Sequence, residues 1–181
     1  MPKYIRLAAE GAAWADDRFT AVPDEESLPP GDVIVSLKRF LAEGDALQAE
    51  GREVGVRIAA SEEIEDLAYD LPRLPVVTVV CPKFSDGRAY TTASLLRERY
   101  GYKGEVRAVG DVLREQAGFM VRCGFDAFEP ADGSTPEQWT QATRRFRHVY
   151  QRAADHRPPA FEERQAQDKA AEAAEVKSHA V

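Results

Sequence analysis

Between residues 33 and 152 the chain repeats one pattern: a short β-branched run, a loop, then a stretch whose apolar positions recur three or four apart. That alternation predicts strand followed by helix. Val33-Ile34-Val35 precedes a helix over about Leu37 to Glu50, with Leu37, Phe40, Leu41 and Leu47 inward and Gly51 as its stop. Val54-Gly55-Val56-Arg57-Ile58 precedes a helix capped by Ser61, with Ile64, Leu67 and Ala68 inward, that Pro72 and Pro75 break. Val76-Val77-Thr78-Val79-Val80 is the strongest strand, β-branched throughout and so expected at the centre of a sheet, buried on both faces. A loop from Pro82 to Thr91 leads from it into a helix with Ala93, Leu95, Leu96 and Tyr100. Val106 to Val109 forms a fourth run; Asp111 then stands where it would cap a helix bearing Leu113, Ala117, Met120 and Val121 and ending at Gly124. A fifth run, Phe125 to Phe128, is followed by Thr135-Pro136, a cap and first-turn pair, and a helix with Trp139, Ala142, Phe146 and Val149 inward.

Strand starts near 33, 54, 76, 105 and 126 recur every 21 to 29 residues, the spacing of strand-helix units with parallel neighbours. The fold class is therefore α/β, with about five repeated βα units forming a mainly parallel sheet with helices on its faces. An open doubly wound sheet is the first expectation. A partial or half β/α barrel is the alternative, because a complete eight-unit barrel needs about 250 residues. Tyr4-Ile5-Arg6-Leu7 and Phe19-Thr20-Ala21-Val22 alternate like a hairpin added at the start. The expected organisation is one domain over 1–154, with the hairpin in 1–32 and the units in 33–152. An Ala/Glu-rich tail over 155–181 lacks a core-forming stripe and opens at Pro158-Pro159.

Charge narrows the functions open to this fold. Lys and Arg number 24 against 31 Asp and Glu, a net charge of -7 that repels a phosphate backbone and argues against nucleic acid as the partner. No stretch reaches the roughly 18 to 20 apolar residues of a membrane helix, and MPKYIRLAAEG lacks the apolar core of a secretory signal, so a cytoplasmic protein without membrane contact is expected. Cys81 and Cys123 make no disulfide framework, and His148, His156 and His179 all fall late in the chain, so no metal site is expected. The Gly-rich phosphate loops and the zinc-protease and hydrolase motifs are missing, and no cofactor is expected from the residues. Oligomeric state is left open.

In parallel sheets with helical crossovers, the loops after the strands gather on one rim where ligands bind. The loop after the third strand, Cys81 to Tyr90, is much richer in function-capable side chains than a connector requires. Lys83, Asp86, Arg88 and Tyr90 from that loop, with Asp111 and Arg114 after the fourth strand, are the candidate ligand- or partner-binding residues. Asp111 also has a simpler use as a cap, and Asp86-Gly87 as a turn. Arg57 and Arg107 sit inside predicted strands, where each needs a carboxylate, an edge or a polar pocket. Cys81 and Cys123 read as small buried hydrophobes. Arg144, Arg145, Arg147 and Arg152 form a basic face on the last predicted helix, either solvated or docking an acidic partner.

Three segments together carry a resemblance: Phe84-Ser85-Asp86-Gly87-Arg88-Ala89-Tyr90, Arg107-Ala108-Val109-Gly110-Asp111-Val112-Leu113 and Arg122-Cys123-Gly124-Phe125-Asp126-Ala127-Phe128. The chain, over roughly Val33 to Glu129, resembles an uncharacterised bacterial family described as oxidoreductases of sulfite reduction and encoded beside the sulfite reductase haemoprotein. The resemblance implies the pathway and that haemoprotein as partner; it transfers no reaction and no catalytic residue. Six-electron reduction of sulfite needs haem and iron-sulfur ligation, for which this sequence shows no ligand set. The expected function is an accessory protein of assimilatory sulfite reduction, supporting or binding the reductase or its electron donor. The alternative is a flavin- or NADPH-dependent oxidoreductase of the same pathway without a recognisable cofactor motif. Whether the protein is an enzyme stays open.

Overall fold

A computed structural model describes residues 3–179, with side chains described through residue 171. The elements run β1 (Lys3–Ala8), β2 (Gly11–Asp16), β3 (Thr20–Ala21), β4 (Val33–Ser36), α1 (Leu37–Ala49), β5 (Val54–Ile58), β6 (Val76–Cys81), α2 (Arg88–Ser94), β7 (Glu105–Gly110), α3 (Ala117–Cys123), β8 (Ala127–Phe128), α4 (Pro136–Thr143) and α5 (Ala160–His179). Eight strands form one sheet in the order β2-β1-β8-β7-β6-β5-β4-β3, parallel from β3 to β8 and antiparallel at β1 and β2. From β3 to β8 each strand is laid beside its predecessor with no reversal of direction. Right-handed crossovers taken always the same way put the helices on one face, and such a sheet curls around the other. The result is a mixed α/β half barrel, the second of the two expected arrangements; a doubly wound sheet needs a reversal of strand order, which this sheet lacks.

Alternation along the strands separates the two faces. Val33, Val35, Val54, Val56, Ile58, Val77, Val79, Val106 and Ala108 point to the helices and pack with Phe40, Leu67, Leu96, Met120 and Trp139 in one core. The concave face keeps only a small separate apolar cluster, Phe19, Ile34 and Val76. Beyond it this face is polar.

Local chemistry explains where the elements depart from the periodic pattern. The hairpin partner of β1 is Gly11–Asp16, joined through a two-residue turn that closes on Gly11 at φ +141. Thr20–Ala21, expected in that hairpin, instead pairs in parallel with β4 at the opposite edge. Helix α1 is capped by the Ser36 hydroxyl, which accepts from the Arg39 N–H at 3.1 Å. Its buried stripe is Leu37, Phe40, Gly44 and Leu47, and Leu41 is exposed. A Cβ at Gly44 would stand 2.7 Å from the Phe40 ring, so glycine is what lets that ring lie along the helix.

After β5 no α-helix forms: Glu62 turns back to accept from the Ala59 N–H at 2.6 Å, and only short 3₁₀ turns follow at Ile64–Leu67 and Leu71–Arg73. The last predicted helix stops at Thr143. Arg157 donates to the carbonyls of Phe146 and Arg147, and Val149 bridges to Pro159, so tertiary partners take the backbone groups that helix would have used. Phe146 is accordingly exposed. Helix α5 runs through the tail, and its side chains from Arg164 to Ala171 are exposed. Met1, Pro2, Ala180 and Val181, within the expected hairpin segment and tail, lie outside the described residues.

Candidate functional site

The loop after β6 is shaped from beneath by the turn after β7. Gly110, at φ +99, passes so close to β6 that a Cβ would lie 2.5 Å from the Cys81 carbonyl oxygen. That approach lets the Asp111 N–H donate to the Cys81 carbonyl at 2.7 Å, and brings Asp111 Oδ2 to the Phe84 N–H at 2.7 Å. Gln116 donates from Nε2 to the Phe84 carbonyl at 3.4 Å while its Oε1 accepts from the Leu113 N–H at 3.1 Å. Both backbone groups of Phe84 are thus held from inside, and its ring stands 53% exposed. Asp111 caps no helix here; α3 begins only at Ala117, after a 3₁₀ turn at Arg114–Gln116.

The other expected residues divide. Asp86 and Arg88 pair with each other: Oδ1 accepts from Arg88 N–H and Nε, and Oδ2 from an Arg88 Nη at 2.7 Å. Those bonds hold the Asp86 carboxyl down at about 2. Lys83 is exposed, and its ammonium makes no hydrogen bond or ion pair among the described residues. Tyr90 turns inward, edge-on to Phe125 at 6.5 Å, and burial pushes its phenol up to about 12. Arg114 lines a groove between α3 and the end of α4, to which none of the loop residues Lys83 to Tyr90 contributes. The structure therefore joins Lys83, Phe84, Asp86, Arg88 and Asp111 in one loop cluster and leaves Tyr90 in the core margin and Arg114 on the helix side. Cys81 is buried beneath the cluster, and desolvation with the nearby Asp86 and Asp111 charges pushes its thiol up to about 11, unfavourable to a thiolate nucleophile.

The concave face carries a second cluster. Ser36, Arg57, Thr78 and Arg107 stand at one level across β4 to β7. Arg57 is exposed there, whereas Arg107 is 1% exposed. Asp17 at 2.5 Å, Glu105 at 2.7 Å and Glu129 at 3.5 Å surround the Arg107 guanidinium, which lies 3.8 Å from the centre of the Tyr4 ring. Burial lowers the pKa of Arg107, but hydrogen bonds and charge from Asp17 and Glu105 more than reverse that and keep it cationic. Desolvation raises the Glu129 carboxyl against the pull of Arg107. Beside this cluster opens a cleft of about 640 Å³ with Tyr4, Trp14, Asp17, Phe19 and Glu129 in its wall. Among the described residues no group of three His, Cys, Asp or Glu is placed to hold a metal ion, and no helix is long and apolar enough to cross a membrane.

The sequence model of a bacterial family, described as bacterial protein of unknown function (DUF934), matches residues 55–161, more than half of the chain. This chain belongs to that family. No curated protein matches it. The DUF934 region takes in β6 to β8 and α2 to α4, hence the whole Lys83–Arg88 loop with Asp111 and Gln116. Tyr4, Trp14, Asp17 and Phe19 lie outside it, so the cleft is closed by a segment that the DUF934 match does not reach.

Within the DUF934 region, the Arg122–Phe128 motif serves packing. Asp126 accepts from the Val106 N–H at 2.9 Å and from Arg97 at 2.8 Å. Arg97, in the helical turn that continues α2, also donates to the carbonyls of Tyr102, Gly104 and Gly124, and so ties that turn to the starts of β7 and β8. Gly124 caps α3 at φ +104, where a Cβ would meet Arg97 Cγ at 2.3 Å. Sequence reasoning passed over Phe84 and Gln116 as named candidates. An aromatic residue in an otherwise polar loop was the available signal for Phe84; Gln116 gave none. Glu105, two positions before Arg107 on the same strand face, was a local signal for its pairing, whereas Asp17 and Glu129 are far along the chain and nothing local ties them to Arg107.

Proposed function

We propose that this protein is an accessory protein of assimilatory sulfite reduction that binds the sulfite reductase haemoprotein or its electron donor through the loop after β6. The observation that carries the reading is Phe84: a large apolar side chain presented to solvent on a backbone pinned by Asp111 and Gln116, between the charged groups of Lys83 and the Asp86–Arg88 pair. A preorganised aromatic anchor ringed by charge loses little conformational freedom on docking and makes an interface hot spot. The pathway comes from the motif resemblance, and all parts of this loop fall inside the family region. A tagged copy mixed with the purified haemoprotein at low ionic strength tests it. Binding is expected, and Phe84→Ala combined with Lys83→Ala should weaken it about tenfold or more. No association at low salt, or equal affinity for the double variant, would sink the proposal.

The cleft beside Arg107 favours a second reading, a small-molecule enzyme of the same pathway. Its volume suits a ligand of modest size. The carboxylates of Asp17 and Glu129 in its wall oppose the pyrophosphate of a flavin or nicotinamide dinucleotide, which places this reading second. Thermal stabilisation of the protein by flavin or NADPH would reverse that order.

A further inference from the structure

A groove of about 570 Å³ runs on the helix side between α3, the Arg114–Gln116 turn and the segment after α4. Phe119 and Phe146 stand in it 64% and 60% exposed, with Ala142 and Val149 at their feet. Four arginines line it, Arg114, Arg122, Arg145 and Arg157, against the single carboxylate of Glu115. Arg122 is paired with Asp155. Arg157 is spent on the carbonyls of Phe146 and Arg147, which fix the segment but leave its charge uncompensated. Arg114 and Arg145 have no acidic partner among the described residues, and Arg145 lies over the Phe146 ring at 5.7 Å. In a chain of net charge -7 this is a local concentration of free positive charge around two exposed rings.

We propose that this groove is a docking site for an acidic peptide segment of a partner protein, one that sets an aromatic or aliphatic side chain between Phe119 and Phe146 while its carboxylates meet Arg114, Arg145 and Arg157. Charge complementarity selects the occupant: an apolar segment alone would leave the arginines facing desolvation without partners, and a basic segment is repelled. A nucleic acid offers anions too, but its phosphates would also meet the field of the acidic remainder of the protein. The proposal does not depend on the loop after β6; it assigns a second recognition surface.

Fluorescence anisotropy with a labelled synthetic peptide of alternating Glu and Asp around one Leu-Trp pair tests it on the full chain. Saturable binding that weakens with added salt is expected. Arg114→Glu with Arg145→Glu should weaken it at least about tenfold, and Phe146→Ser should also weaken it, while Phe84→Ala leaves it unchanged. All of these positions are exposed, and circular dichroism melts establish that each variant is folded. Absence of binding, equal binding by the charge-reversed variant, loss with Phe84→Ala in its place, or tighter binding of a labelled single-stranded oligonucleotide than of the peptide would each overturn the assignment.

Discussion

Arg107 shows what a single residue contributes to this fold. Inside a strand, with 1% of its side chain exposed, its charge is tolerated only because carboxylates from the β2–β3 connection, from β7 itself and from the end of β8 converge on it. Removing the cation while leaving Asp17 and Glu105 in place strands two buried negative charges. Arg107→Met is therefore expected to destabilise the protein by about 3 to 5 kcal/mol, read as a shift of the urea midpoint. A cost below about 1 kcal/mol would show that water reaches the cluster. Glu129 adds a pH dependence of defined sign. Its folded pKa lies above the ordinary 4.5, so the folded state holds the proton more tightly than the unfolded one. Its contribution is complete below the ordinary value and is lost as pH rises through the folded value. The stability of the native protein relative to Glu129→Gln should accordingly decline from about pH 4 upward, measured as the difference in urea midpoints across pH; a difference that grows with pH would contradict this.

At the scale of elements, the loop after β6 depends on a contact made by β7. Gly110 permits the strand ends to approach, and Asp111 then supplies the acceptor for the Phe84 N–H. Asp111→Ala should cost only about 1 kcal/mol in global stability, since one partly exposed hydrogen bond is lost. Hydrogen exchange at the Phe84 amide should nevertheless accelerate strongly while the amides of β6 stay protected. Unchanged exchange at Phe84 would mean that Gln116 holds the loop alone. Helix α4 illustrates the opposite dependence. Its start is set locally by the Thr135–Gln138 capping box and Pro136, whereas its end is decided by Arg157, more than ten residues further on.

The molecule as a whole is a half barrel whose apolar mass lies between the sheet and its helices, leaving a polar concave face. The tail is attached to this body at its beginning: Glu162 pairs with Arg152, Glu163 with His148, and Pro159 is buried. From Arg164 to Ala171 every side chain is exposed. Changing Gln165, Gln167 and Lys169 together to alanine should leave the urea midpoint unchanged within measurement error, because this exposed stretch contributes no apolar burial. A clear loss of stability would place the Arg164–Ala171 stretch against the body.

Period and composition along the chain were enough for the strands β4 to β8, the parallel pairing, the cap at Thr135 and the stop at Gly124, because each rests on neighbours a few residues apart and on burial of one face. The richness of the Lys83–Arg88 loop was legible for the same reason. Long-range pairing determined the rest. Thr20–Ala21 crossed to the far edge, Asp111 became a staple for Phe84, Tyr90 turned to the core and Arg114 to the helix side. Arg107 found its carboxylates at Asp17 and Glu129, separations of 90 and 22 residues. Partners so far apart along the chain meet only after the sheet has curled, and no local pattern of residues encodes which ones will face each other.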